Sequence, residues 1–124
     1  MRLLLDTHVL LWWSAGQAMS KAASEAIAAP ENDVAISVAS LWETEIKVQA
    51  GKLRLADDLY ARLREQRFEE VPIRRPHALA AARLPPHHAD PFDRVMMAQA
   101  LVEGMVLVTR DSMFERYDVP LLQA

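Results

Sequence analysis

The chain has 124 residues, with 14 Lys and Arg against 17 Asp and Glu, for a formal charge of −3. Hydrophobic residues make up 52% and charged residues 25%, which excludes a disordered tail protein and fits one globular domain over residues 1–124. With no cysteine there is no disulfide scaffold, zinc-thiolate site, iron–sulfur cluster or thiol nucleophile, and the acidic balance argues against nucleic-acid binding by bulk charge alone.

Arg2 to Asp6 is a short apolar run ending in a carboxylate, and its place before a helical pattern predicts a buried first strand. Thr7 to Ala15 reads as a helix stopped by Gly16. Ser20 is a good N-cap for a helix over Lys21 to Ala29, closed by Pro30. Val34 to Val38 predicts a second strand, and Ala39 to Ala50 a helix with Gly51 just past its end. Asp57 and Asp58 open a further helix to about Arg67, because acids suit the positive end of the helix dipole. Glu70 to Ile73 reads as a short strand. Pro76 suits the first residue of a helix through Arg83. Leu84 to His88 is a proline-rich loop. Asp90 caps a helix over Pro91 to Glu103, with Gly104 after it. Met105 to Thr109 is the clearest strand. A short helix near Ser112 to Tyr117 and a last strand near Val119 to Leu122 complete the chain.

Strands alternating with helices predict an α/β fold with a mostly parallel sheet of four to five strands, covered by helices on both faces. No apolar run approaches the roughly 20 residues of a membrane span, and no signal segment is recognisable. The expectation is a soluble cytoplasmic protein with no membrane partner.

In such sheets functional groups gather at the carboxyl ends of the strands. Acids stand at those junctions: Asp6 after the first strand, Glu43 one turn into the following helix, Asp90 and Asp93 at the start of the long helix, and Asp111 after the fourth strand. Singly, each has an ordinary explanation. Asp6, Asp90 and Asp111 can cap helices, Asp93 can favour a helix dipole, and Glu43 can be a solvated face residue. Together they repel one another, and a divalent cation resolves the conflict. Oxygen ligands suit Mg²⁺ or Mn²⁺, and metal-assisted phosphodiester hydrolysis is the natural chemistry.

The chain resembles the PIN-domain ribonucleases, and most of all the toxin half of bacterial VapBC toxin–antitoxin pairs. Four segments carry the resemblance, in order, across nearly the whole chain: Leu3-Leu4-Leu5-Asp6-Thr7-His8; Ser37-Val38-Ala39-Ser40-Leu41-Trp42-Glu43; Asp90-Pro91-Phe92-Asp93-Arg94 with Ala98-Gln99-Ala100; and Leu107-Val108-Thr109-Arg110-Asp111 followed by Phe114. The resemblance implies a PIN-like three-layer α/β/α sandwich and a Mg²⁺- or Mn²⁺-dependent endoribonuclease. Asp6, Glu43, Asp93 and Asp111 would be its acidic quartet. Asp90 would be an added ligand or only a cap. Thr7, Thr109 and Ser40 would support the carboxylates. A Mg/Mn-activated water would attack an RNA phosphodiester, leaving a 5′-phosphate and a 3′-hydroxyl. Arg94 and Arg110 flank the acids and either hold phosphates or pair with nearby acids. The resemblance also implies a homodimer and a small VapB-like antitoxin lying in an apolar groove, for which Trp12, Trp13, Leu41 and Trp42 are candidates beside a role in the core.

The histidines read otherwise. His87 and His88 are adjacent in a loop, without the i, i+4 spacing of a helical ligand pair, so neither is expected to bind metal. Arg62, Arg64, Arg67, Arg74 and Arg75 could track an RNA backbone, although a solvated face is the commoner explanation. Two rivals stand beside the ribonuclease. One is a catalytically silent PIN-like module that binds RNA or protein. The other is a haloacid-dehalogenase-type phosphotransferase, which needs a second Asp two residues after the first, where this chain has His8.

Overall fold

Three consecutive leucines, Leu3 to Leu5, show no exposed surface, because β1 (Arg2–Leu5) is the central strand of the sheet. The structure is a computed structural model that describes residues 1–55 and 59–124. Five strands lie in the order β3-β2-β1-β4-β5, and every neighbouring pair is parallel. The others are β2 (Asp33–Ser37), β3 (Glu69–Val71), β4 (Val106–Thr109) and β5 (Leu121–Gln123). The helices are α1 (Thr7–Ser14), α2 (Lys21–Ala28), α3 (Val38–Gln49), α4 (Leu59–Gln66), α5 (Arg75–Arg83) and α6 (Pro91–Glu103), with a 3₁₀ turn at Ser112–Arg116.

Alternation along the strands divides the core in two. Leu3, Leu5, Val34, Ile36 and Val108 join Val9, Leu10, Ala23, Leu59 and Leu63 on one face. Leu4, Ala35 and Leu107 join Met96, Met97, Ala100 and Phe114 on the other. Both faces are covered, so the central strands carry unbroken apolar runs. Truncating one of these leucines to Ala should cost ~2–5 kcal/mol.

Local chemistry sets the ends of the elements. Ser20 Oγ accepts from Ala23 N–H at 3.0 Å and starts α2. Ser37 Oγ accepts from Ala39 N–H at 3.0 Å, so Val38 begins α3 instead of ending β2. Pro72 has no N–H to give, and β3 stops at Val71 rather than reaching Ile73. Pro120 similarly delays β5 to Leu121. Pro76 is the second residue of α5, not the first, because Arg74 serves as N-cap and its N–H is accepted by His77 Nδ1 at 3.0 Å. The short C-terminal helix is a 3₁₀ turn ending at Arg116. Gly104, at φ 68°, supplies the left-handed residue that ends α6. Asp57 and Asp58, expected to open α4, lie outside the described residues.

The chain runs outward from β1 through β2 to β3, then returns to place β4 on the other side of β1. The strand order therefore reverses between β1 and β4, and the carboxyl ends of such a switch point are where ligand sites of open α/β sheets form. No helix among the described residues is long and apolar enough to cross a membrane.

Candidate metal centre at the carboxyl edge of the sheet

Asp6 follows β1 at this switch point and is only 4% exposed. It caps α1, and Oδ1 accepts from Val9 N–H at 2.8 Å. Thr109, at the end of the neighbouring β4, donates its hydroxyl to Asp6 Oδ2. The same hydroxyl oxygen accepts from Asp111 N–H at 3.1 Å. Thr109 therefore ties the first acid to the last across the switch point. Burial raises the Asp6 carboxyl above the ordinary range; the Thr109 and Val9 hydrogen bonds and His8 oppose that, while Asp111 adds to it.

Glu43 comes from α3, which packs against both α1 and α6. It is 8% exposed and accepts from the Thr7 hydroxyl at 2.7 Å. That hydroxyl also lies 3.2 Å from Ser40 Oγ, and Ser40 in turn reaches Met96 Sδ at 3.1 Å. Glu43 is thus no solvated face residue. Lys47 stands 3.4 Å from its other oxygen. Among the described residues no Lys or Arg pairs with Asp6, Asp93 or Asp111.

Asp90 caps α6, with Oδ1 accepting from Phe92 N–H at 2.9 Å and Asp93 N–H at 3.1 Å. That bond fixes Asp93 in the first turn. Burial pushes the Asp93 carboxyl up to about 6; the His88 hydrogen bond opposes this, and the charges of Asp90 and Glu43 raise it further. Asp111, exposed at the rim, caps the 3₁₀ turn through Met113 N–H at 2.9 Å. The acids are therefore coupled: Asp6 senses Asp111, and Asp93 senses Glu43 and Asp90.

His88, which its spacing gave no reason to place among the acids, lies beside them. Its Nε2 lies 2.6 Å from Asp93 Oδ2. A ring nitrogen of His88 and one oxygen each of Asp93 and Asp111 all lie within 4.8 Å of one another. Nothing local in Pro85-Pro86-His87-His88 announces this, because the loop is placed by residues from α6 and the 3₁₀ turn. His87 turns elsewhere, edge-on to Tyr117 at 5.3 Å. His77 is buried and pairs with Glu103 at 2.8 Å.

The two arginines separate. Arg94 Nη1 donates to the carbonyls of Pro85 and His88 at 2.9 and 3.0 Å, and Nη2 to those of Ala81 and Leu84 at 2.8 and 2.7 Å. Its fork is taken up by four main-chain carbonyls, of Ala81 and of the loop, rather than by a nearby acid. Arg110 remains exposed at the rim, stacked 4.1 Å over the Trp12 ring and bonded to the Ala124 and Ala18 carbonyls. The groove candidates also separate. Trp12, Trp13 and Leu41 all pack against the core, with Phe68 4.7 Å and Arg62 4.8 Å from the Trp13 ring. Trp12 lines a cleft of ≈ 390 Å³ with Leu11, Leu53 and Leu55. Trp42 is 59% exposed and meets Phe92 edge-on at 5.1 Å. Arg64, Arg67, Arg74 and Arg75 are exposed.

The donor set fits a hard or borderline divalent cation: several carboxylate oxygens, one imidazole nitrogen and no sulfur ligand. Residues 3–120 match the PIN domain family model. The chain is 35% identical over 112 residues to ribonuclease VapC22 of Mycobacterium tuberculosis, covering 87% of this chain and 85% of that one. Its fold resembles that in VapBC2 of Rickettsia felis bound to a promoter DNA fragment, with a TM-score of 0.76, 19% identity, and coverage of 100% and 99% of the two chains. A DNA-bound VapBC structure from Salmonella typhimurium gives a TM-score of 0.74 at 18% identity, covering 99% and 98%. The chain belongs to the PIN-domain family, in the VapC group to which that 35% identity joins it.

Proposed function

We propose that this protein is a divalent-metal-dependent endoribonuclease and the toxin of a toxin–antitoxin pair. The observation that supports the reading is that the acids neighbour one another at the carboxyl end of the sheet, Asp6 beside Asp111 and Asp93 beside both Glu43 and Asp111, with one lysine among their partners. Buried carboxylates left this way are costly unless a cation joins them. The kinship with ribonuclease VapC22 supports RNA as substrate. A bound divalent ion would supply Lewis acidity at a phosphate oxygen and lower the pKa of a water. The chain's part is placement. Thr109 and Val9 N–H hold the Asp6 carboxylate in one orientation. Thr7 holds Glu43, and the Asp90 cap holds Asp93. Asp111 and Arg110 stand exposed at the rim, where an RNA phosphate would approach.

An antitoxin partner is supported by the VapBC structures that share the fold. The cleft beside Trp12 suits an apolar segment, and His8, which lines it, is near enough to Asp6 to act on its carboxyl. A partner seated there could reach the acids. The reading is tested by incubating metal-stripped protein with tRNA, rRNA and mRNA pools, with and without Mg²⁺ or Mn²⁺, beside Asp6→Asn. Cutting that requires metal and disappears in the variant is the expected result. If no pool is cut at any metal concentration by protein free of antitoxin, the silent-module reading takes its place. A phosphoryl group trapped on Asp6 would favour the phosphotransferase instead.

A further inference from the structure

The loop before α6 is held far more firmly than a connector requires. Arg94 donates to four of its flanking and internal carbonyls, at Ala81, Leu84, Pro85 and His88. Tyr117 binds from the other side: its hydroxyl donates to the Pro85 carbonyl at 2.8 Å and accepts from His88 N–H at 2.9 Å. Phe114 lies edge-on to the His88 ring with centroids 6.1 Å apart. The Arg94 bond to the His88 carbonyl, the Tyr117 bond to the His88 N–H and the Phe114 ring act on His88 itself, while the remaining bonds anchor the loop at Ala81, Leu84 and Pro85; His88 Nε2 lies 2.6 Å from Asp93 Oδ2. Groups whose own geometry is fixed by surrounding hydrogen bonds are what a precise ligand set needs.

We propose that His88 is a nitrogen ligand of the metal held by Asp93 and Asp111, and that it biases the site toward Mn²⁺ or a later first-row ion over Mg²⁺. The inference rests on the reading of this edge as a metal centre and adds to it a ligand outside the acidic quartet. One atom from each residue already lies within 4.8 Å of the other two. One ion with bonds of about 2.0–2.2 Å spans such a group after small side-chain rotations. Mg²⁺ strongly prefers oxygen, whereas imidazole suits transition ions and binds them more tightly along the series from Mn²⁺ onward. A purely structural role, His88 as a clip on Asp93, predicts no nitrogen at the metal.

The test uses the metal-stripped full chain and the metals alone. Electron spin-echo envelope modulation of bound Mn²⁺ should show a coupled ¹⁴N nucleus in the wild type that changes on ¹⁵N-histidine labelling. His88→Ala and His88→Gln should both lose it, the second while keeping a polar side chain beside Asp93. Calorimetry should show tighter binding of Mn²⁺ than of Mg²⁺. In either His88 variant the Mn²⁺ affinity should fall about tenfold or more, with Mg²⁺ affinity little changed. Wild-type Mn²⁺ without nitrogen modulation, or modulation that persists in His88→Ala, overturns the proposal. If Mn²⁺ binding is lost in Asp93→Asn yet carries no nitrogen signal, the metal centre stands and only His88 falls. If neither ion binds the wild type, both fall.

Discussion

Asp93→Asn is the most informative single change, because burial and metal binding give it opposite signs. Burial moves the Asp93 carboxyl from its ordinary 3.8 to about 6 in the metal-free protein. At about 1.4 kcal/mol per pH unit, that difference has a ceiling of ~3 kcal/mol. The side chain is still 20% exposed, so solvent screening reduces the usable figure to roughly 1–2 kcal/mol. The direction follows from proton linkage. The folded state holds the Asp93 proton more tightly than the unfolded chain, so the full stability is present below about pH 4 and is lost as pH rises through about 6. Asn keeps the volume and the polar contact to His88 but carries no charge. In EDTA at neutral pH the variant should therefore be more stable than the wild type by ~1–2 kcal/mol, and the two should converge toward about pH 4. Asp6, raised in the same direction, leaves a residual slope of the same sign in the variant. Saturating Mn²⁺ reverses the order: a ligand at about 100 times its Kd adds ~2.7 kcal/mol to the wild type and much less to a variant lacking a carboxylate ligand. Urea titrations across pH, with and without metal, measure every part of this. A variant that is less stable in EDTA at neutral pH, or whose difference from the wild type ignores pH, would refute the reasoning.

Thr109→Val removes the hydroxyl that donates to Asp6 and accepts from Asp111 N–H. It should cost ~1–3 kcal/mol in denaturant melts and abolish RNA cleavage together. Arg94→Lys keeps the charge but loses the fork that reaches four carbonyls. We expect a loss of ~1–3 kcal/mol and weakened Mn²⁺ binding; a rise in KM for RNA at unchanged stability would return Arg94 to the phosphate role. Trp13→Ala should destabilise by ~3–5 kcal/mol, because Trp13 packs on the core and on Phe68. Trp42→Ala should cost under about 1 kcal/mol, since that ring is 59% exposed; equal losses by thermal denaturation would contradict the packing described.

Much of the fold was legible because its signals are local. Ser20, Asp90-Pro91 and Gly104 each act within a few residues, and the bounds of α6 follow from the last three. The apolar runs Leu3 to Leu5 and Leu107 to Val108 mark strands buried on both faces. The rule that strand ends carry function singled out Asp6 and Asp111, and spacing placed Asp93 in a first helical turn. Strand edges shifted where one residue decided them: Pro72 shortened β3, Pro120 delayed β5, and Ser37 became a cap.

Tertiary structure decided everything that depends on distant partners. Asp6 and Thr109 are 103 positions apart and meet only because β4 lies beside β1. Whether Glu43 faces water or Thr7 depends on how α3 settles against α1. Arg94 stands beside the acids in sequence, yet its donors go to carbonyls of the preceding loop. His88 has no ligand spacing and still reaches Asp93, because Arg94 and Tyr117 bend the loop to it. Caps, turns and strand character follow from contacts a few residues long. A side chain's partner follows from which strands pair and how helices pack, and that is settled only when the whole core closes.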